Sequence, residues 1–304
     1  MPRCGLIGTI TSDSIVQEDG PPHETLGGVL YQAAAFSGLG QKTALFSHCG
    51  EALRPAVETL IADWPGLDRK GLVFVPGPGN RVRLRYSKKA REREEVLESV
   101  VPALDPGPLL EALPSLDILL MVFNSGLDVA FCDWRLIVER SSCLVWFDVH
   151  SLALEPRVGV HRDYRAVPDW PEWVKGVACL QANRQEVGCL MGHPERWATD
   201  AEIREFIDQA LGLGVRAVFV TKGKDGVLVA VRNETRPIPA PAASAVVDAT
   251  GCGDVFAAAA VEALLRGRSV FQAAEAGVAL ATAAVAVSGL CETFLLASRD
   301  TIQK

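Results

Sequence analysis

The sequence predicts an α/β fold in three layers, a mainly parallel central sheet covered by helices on both faces. Three observations carry this. Short apolar runs alternate with amphipathic or alanine-rich segments along most of the 304 residues. The composition, 49% hydrophobic against 22% charged, is enough to bury a large core. No internal repeat, low-complexity tract or interdomain linker interrupts the chain, so 1–304 reads as a single domain.

The elements follow in order. Cys4 to Ile10 reads as a buried strand and not a signal peptide, because Thr11, Ser12 and Asp13 cut the apolar run short. Val29 to Gly38 predicts a helix, Thr43 to Ser47 a strand and Leu53 to Asp63 a second helix. Asn80-Arg81-Val82-Arg83-Leu84-Arg85-Tyr86 alternates with period two, the mark of a half-exposed strand with its arginines on the wet face. Asp117 to Phe123, Cys143 to Asp148 and Val177 to Gln181 are further buried strands. Ala201 to Leu213 predicts a helix, Ala217 to Thr221 and Gly226 to Val231 a strand pair, and Val255 to Leu265 an alanine-rich helix. The apolar stretch from Gly277 to Gly289 is too short to span a bilayer and predicts a buried helix.

The net charge of −7 and a pI near 5.4 exclude a basic field, and with it a nucleic-acid or anionic-membrane surface. Eight cysteines without a Cys-x-x-Cys pair read as reduced core thiols of a cytoplasmic protein. No Gly-x-x-x-x-Gly-Lys-Ser/Thr occurs. Gly251-x-Gly253 lacks the third glycine of a dinucleotide fingerprint and lies far from the first strand, which argues against hydride transfer.

The chemistry concentrates in Asp248-Ala-Thr250-Gly251-Cys252-Gly253-Asp254-Val-Phe256, directly before the alanine-rich helix. A helix N-terminus presents unpaired N–H groups and partial positive charge, and two glycines let a phosphoryl group approach them closely. Asp254 then stands where a hydroxyl can lose its proton to it. The plainer alternative is a glycine turn capping a helix, with Asp254 an ordinary first-turn acid. A thiol at such a terminus can have a lowered pKa, which makes Cys252 either a reactive thiolate or an inert small side chain.

This motif resembles the C-terminal signature of the PfkB/ribokinase family of carbohydrate kinases, and three further segments are similar to that family's motifs. Gly27-Gly28, opening a helix that ends at Gly38-Leu39-Gly40, resembles its N-terminal signature, with Asp13 in the place of the acid that holds substrate hydroxyls. Gln32 stands where many members carry asparagine. Asn183-Arg-Gln-Glu186 matches the family's Asn-x-x-Glu element, and is equally a helix cap. Thr221-Lys-Gly223-Lys-Asp-Gly226 matches a turn that borders nucleotide phosphates, and is equally an ordinary hairpin turn.

The resemblance implies a ribokinase-like α/β/α sandwich with a small β lid contributed by about 9–17 and 79–87. It implies an ATP- and magnesium-dependent phosphotransferase acting on a hydroxyl of a sugar or related polyol. Asp254 would be the base and Gly251, Cys252 and Gly253 the anion hole. Asp13, Gly27, Gly28 and Gln32 would bind substrate, while Asn183, Thr221, Gly223 and Gly226 would border the nucleotide. Glu186 would serve magnesium through water, and Asp248 a potassium-like ion. The partners expected are small molecules and a second copy in a homodimer, with neither nucleic acid nor membrane. Nucleoside, inositol and keto-deoxy sugar acid acceptors remain open, as does a non-catalytic sensor of the same fold. Asp148, His150 and Asn124-Ser125-Gly126 lie at expected strand ends and are either pocket residues or caps. Lys222 and Lys224 touch phosphate or only water. Arg81, Arg83 and Arg85 either meet an anionic substrate or simply face solvent.

Overall fold

The computed structural model describes residues 3–17, 23–86 and 94–302. The chain begins with β1 (Arg3–Ile7), β2 (Ile10–Gln17), β3 (His23–Gly28), α1 (Leu30–Gly38), β4 (Lys42–Gly50), α2 (Arg54–Ile61) and β5 (Leu67–Val75). Then come β6 (Asn80–Tyr86), β7 (Glu94–Ser99), α3 (Gly107–Ala112), β8 (Ile118–Val122), α4 (Phe131–Arg140) and β9 (Leu144–Asp148). They are followed by α5 (Trp170–Val174), β10 (Cys179–Asn183), α6 (Arg184–Leu190), α7 (Asp200–Gly212) and β11 (Ala217–Thr221). The last elements are β12 (Val227–Val231), β13 (Glu234–Ile238), α8 (Cys252–Leu265), α9 (Val270–Ala284) and α10 (Leu290–Ile302).

Nine strands form one sheet in the order β13-β12-β11-β10-β9-β8-β1-β4-β5, parallel throughout except for the β11-β12-β13 edge. Apolar side chains cover both of its faces, as a parallel sheet requires. One core holds Trp146 and Phe219 against Phe36 of α1 and Phe256 of α8. The other packs Phe147 and Val218 against Trp134 of α4 and Phe206 of α7. The mainly parallel three-layer arrangement expected from the alternating pattern is therefore present.

Four strands leave this body as a separate sheet, β3-β2-β6-β7. Its position follows from composition: β6 alternates polar and apolar residues, so only one face can be buried. Val82, Leu84 and Leu97 form its small core. The arginines of β6 lie on the other face, Arg83 with Glu98 at 3.3 Å and Arg85 with Glu94 at 3.9 Å. They do not line the central cavity. The lid segment 9–17 corresponds to β2. That of 79–87 corresponds to β6, with residue 87 outside the described residues.

Several boundaries differ from expectation. The first apolar run is two strands, since Gly8 and Thr9 turn the chain between β1 and the lid. The helix expected from Val255 begins at Cys252, because Gly251 adopts φ +74 and starts the turn three residues earlier. The helix expected over 277–289 is the second half of α9, which ends at Ala284. Strands β3, β5, β7 and β13 carry too little apolar periodicity to be read from sequence. Among the described residues, no helix is long and apolar enough to cross a membrane.

Candidate active site

The C-terminal ends of β1, β8, β9, β10 and β11 open into a cavity of about 990 Å³ that reaches from the lid to the loop before α8. Ligand sites gather at this edge of parallel sheets because helix N-termini and loops converge there.

At its centre stands the first turn of α8. Gly251 is the residue preceding the helix, at φ +74, and an added Cβ would fall 2.4 Å from Cδ1 of Tyr31. At Gly253 an added Cβ would meet only Gln181 Nε2 at 3.8 Å, so the backbone there is open on the cavity side. Asp254 lines the cavity and is buried, with Oδ1 accepting no hydrogen bond. Burial pushes its carboxyl up to about 7, with a further contribution from the charge of Glu186.

Asp148, at the end of β9, and Glu186, in the first turn of α6, share this pocket. Burial raises both, Asp148 further because Glu186 and Asp254 face it. Burial thus favours the protonated form of all three carboxyls, and their mutual charge adds to it at Asp148 and Asp254. Asn183 and Glu186 form a full capping box: Asn183 Oδ1 accepts from Gln185 N and Glu186 N at 2.8 and 2.9 Å, and Glu186 Oε2 accepts from Asn183 N at 2.7 Å. Both residues also line the cavity, so the cap and the pocket are one structure. Thr221, Gly223 and Gly226 line the same end. Gly226, at φ +85, is packed so tightly that a Cβ would sit 2.1 Å from Ile238 O.

At the lid end, Asp13 of β2 faces the cavity beside Gly27 and Gly28. A Cβ on Gly27 would lie 2.7 Å from Asp13 Oδ2, and one on Gly28, at φ +65, would strike Thr9 O at 2.3 Å. Bare backbone here makes room for the carboxylate and the turn. Asn124, Asp148 and His150 line this region as strand-end residues. His150 is the one described non-glycine residue with positive φ, +34.

One sequence expectation changes. Gln32 does not line the cavity; the helical turn sends it into the core, fully buried with neither amide atom partnered, and presents Tyr31 to the cavity instead. Of the two readings of Cys252, burial and then the charges of Asp248 and Asp254 favour the inert side chain, pushing its thiol up to about 11. Asp248 accepts from Thr250 N at 2.8 Å and from Ser288 Oγ at 3.1 Å, bonds that brace its own loop. Lys222 pairs with Asp200 at 3.5 Å, whereas Lys224 lines the cavity.

Sequence reasoning missed Arg162. Its guanidinium is almost completely buried, donating to Glu95 Oε1 at 2.8 Å and to Ser125 O at 3.0 Å. It therefore joins lid strand β7 to the loop after β8. Its backbone N–H also donates to Glu95 O at 2.8 Å. No local pattern in Val-His-Arg-Asp-Tyr marks it, because its partners are distant in sequence. A second clasp lies at the hinge, where Asn80 Nδ2 donates to Thr9 Oγ1 at 2.5 Å and that hydroxyl donates to Asp128 Oδ1 at 2.6 Å.

Residues 155–295 match the family described as pfkB family carbohydrate kinase. The structure is similar to Arabidopsis thaliana ribokinase complexed with ribose and ATP, with a TM-score of 0.79 at 20% identity over 99% of this chain and 97% of that one. It is similar to Thermotoga maritima ribokinase, with a TM-score of 0.76 at 20% identity and 100% of both chains covered. A pyrophosphate-dependent kinase in the ribokinase family, complexed with a pyrophosphate analog and myo-inositol, matches with a TM-score of 0.76 at 19% identity, over 94% of this chain and 96% of that one. By sequence, 121 residues are 33% identical to Arabidopsis thaliana ribokinase, covering 39% of this chain and 31% of that protein. A further 101-residue match is 35% identical to the bifunctional protein HldE of Caulobacter vibrioides, covering 33% of this chain and 21% of that protein. The aligned segments thus span under a third of these two relatives.

Proposed function

Starting from a ribokinase-like fold whose residues 155–295 carry the pfkB family carbohydrate kinase segment, we propose that this protein transfers the γ-phosphoryl group of ATP to a hydroxyl of a sugar or related polyol. The observation that carries the reading is Asp254: a buried carboxyl with an unpartnered oxygen, in the first turn of the helix whose N-terminus opens on the cavity. A helix cap does not need a carboxyl held near neutrality, whereas a general base does.

The acceptor would lie under the lid, its hydroxyls held by Asp13 beside Gly27 and Gly28. Its reacting hydroxyl would pass its proton to Asp254 Oδ1 as the oxygen attacks the γ-phosphorus. The bond from that phosphorus to the β-phosphate oxygen breaks, leaving ADP. Charge on the transferring group would fall on the backbone amides of Gly251, Cys252 and Gly253, preset by the turn. Phosphates would run toward Thr221, Gly223 and Gly226.

Among the described residues, no three His, Cys, Asp or Glu side chains gather as a direct metal-ligand set. The buried carboxyls of Asp148, Glu186 and Asp254, each pushed toward the protonated form, nevertheless fit a cation that arrives with its own phosphate and water ligands, as magnesium does. Glu186 would hold it through water. Bound there, the ion supplies neutralisation of phosphate charge.

Val246, Ala281 and Val285 line the far end of the cavity, an apolar surface suited to a nucleoside base. That feature favours ATP over pyrophosphate as donor. The test mixes the protein with magnesium, ATP or pyrophosphate, and a panel of sugars, inositols and nucleosides. ADP release that depends on one acceptor class is expected. Binding of both ligands without any turnover would identify a sensor instead.

A further inference from the structure

Gln181 is polar in a strand whose neighbours are apolar. Residues 179–182 of β10 are buried, and Gln181 pairs in register with Asp148 of β9 and Phe219 of β11. In-register residues of adjacent strands point to the same face, here the face covered by α8. An aliphatic residue would fill this place without cost. The amide instead leaves its Oε1 buried without a partner, a free-energy cost that an ordinary core position has no reason to retain.

Its Nε2 explains the choice. One hydrogen bond goes to Asp148 Oδ2 at 2.9 Å and the other to Gly253 O at 3.1 Å. The Gly253 carbonyl can only accept, which fixes the orientation of the amide. Gly253 is the open position of the turn: beyond its own helix, Gln181 Nε2 at 3.8 Å is the one atom among the described residues that an added Cβ would meet.

We propose that Gln181 is a positioning residue of the transfer reaction: it clamps the first turn of α8 to the end of β9, setting where the anion-binding amides and Asp254 stand. The proposal rests on the kinase reading above. Gln181 lines the cavity, but both amide hydrogens are spent on the Gly253 carbonyl and the Asp148 carboxyl, and it acts through them. A helix turn that shifts by a fraction of an ångström still binds nucleotide, yet no longer holds base and amides in line with the phosphoryl group.

Gln181→Met keeps the shape and removes both hydrogen bonds. Its kcat is expected to fall roughly 10- to 100-fold, with both KM values within about threefold of wild type. The melting temperature should stay the same or rise, since the unpartnered acceptor is gone. Amide exchange at 252–256 should become about tenfold faster, a readout that needs no turnover. Gln181→Leu provides the same measurements should the methionine variant fold poorly. Wild-type kcat and unchanged exchange would overturn the proposal, as would a kcat loss matched by weaker ADP binding and a lower melting temperature. A wild-type protein without turnover on any acceptor would instead sink the kinase reading, and exchange at 252–256 would still decide the role of Gln181.

Discussion

Tyr31 and Gly251 meet face to face: the ring lies where any side chain on Gly251 would have to stand, 2.4 Å from an added Cβ. Tyr31 is itself buried, and burial with the nearby charges of Asp248, Asp13 and Asp254 keeps its hydroxyl protonated. Gly251→Ala must therefore move the ring and adopt a positive φ, a strain of about 1–3 kcal/mol from the backbone alone. We expect lower thermal stability and turnover reduced by at least about tenfold, because the anion-binding turn is displaced. Full activity in Gly251→Ala would show that the turn tolerates another geometry.

Asp254→Asn should bind nucleotide almost as well as wild type while turnover drops roughly 10²- to 10⁴-fold, the usual worth of a positioned base. Retention of more than about a third of the wild-type rate would exclude Asp254 as the base, because it corresponds to under about 1 kcal/mol.

The same substitution has an opposite effect on stability. Asp254 is pushed up to about 7 in the folded protein, from an ordinary value near 3.8. Between those values the native state binds the proton more tightly than the unfolded chain. Its contribution is therefore fully present at low pH and is lost as pH rises through about 7. Asp254→Asn escapes that loss. Thermal melts should find the variant more stable than wild type at pH 8, with the difference shrinking toward pH 4. A variant less stable at pH 8 would mean that the carboxylate is better compensated than its surroundings indicate.

For turnover, the deprotonated carboxyl is required, so kcat/KM should rise about tenfold per unit on the acid side and level off around the Asp254 value of about 7. The limb reports the group of Asp148, Glu186 and Asp254 together. A flat profile from pH 5 to 8 would contradict a base buried in this cluster.

Cys252 should be slow to alkylate near neutral pH, with its thiol pushed up to about 11, and the exposed Cys132 and Cys291 should react first. Cys252→Ala should keep near-wild-type turnover. Rapid inactivation of wild type that nucleotide prevents, absent from Cys252→Ala, would restore the reactive-thiolate reading.

The layered fold was legible because its strands are apolar on both faces, a pattern that needs no knowledge of partners. Runs such as Ala217 to Thr221 were found to the residue. Strands β3 and β13 were not, because His23–Gly28 and Glu234–Ile238 are half exposed or polar, and pairing with neighbours makes them strands. In the site, Gly251-Cys-Gly253-Asp254 could be read because the helix start is local. Gln32 was misplaced because one residue is about 100° of helix, enough to exchange it with Tyr31. Arg162 and Gln181 were given no role, because each is defined by partners at least 33 residues away. The signal for Gln181 was present all the same: an amide between the apolar Leu180 and Ala182 in a buried strand.

The bond between Arg162 and Glu95 also bears on how much freedom remains when a substrate arrives. Strand β7 is tied to the body by a buried guanidinium, backbone to backbone as well as by side chain. Much of the conformational entropy that a free flap would surrender in each catalytic cycle has thus been surrendered once, during folding. On the kinase reading, the wall beneath β7 would then be a fixed template for the acceptor, with its cost in freedom met before any ligand is present.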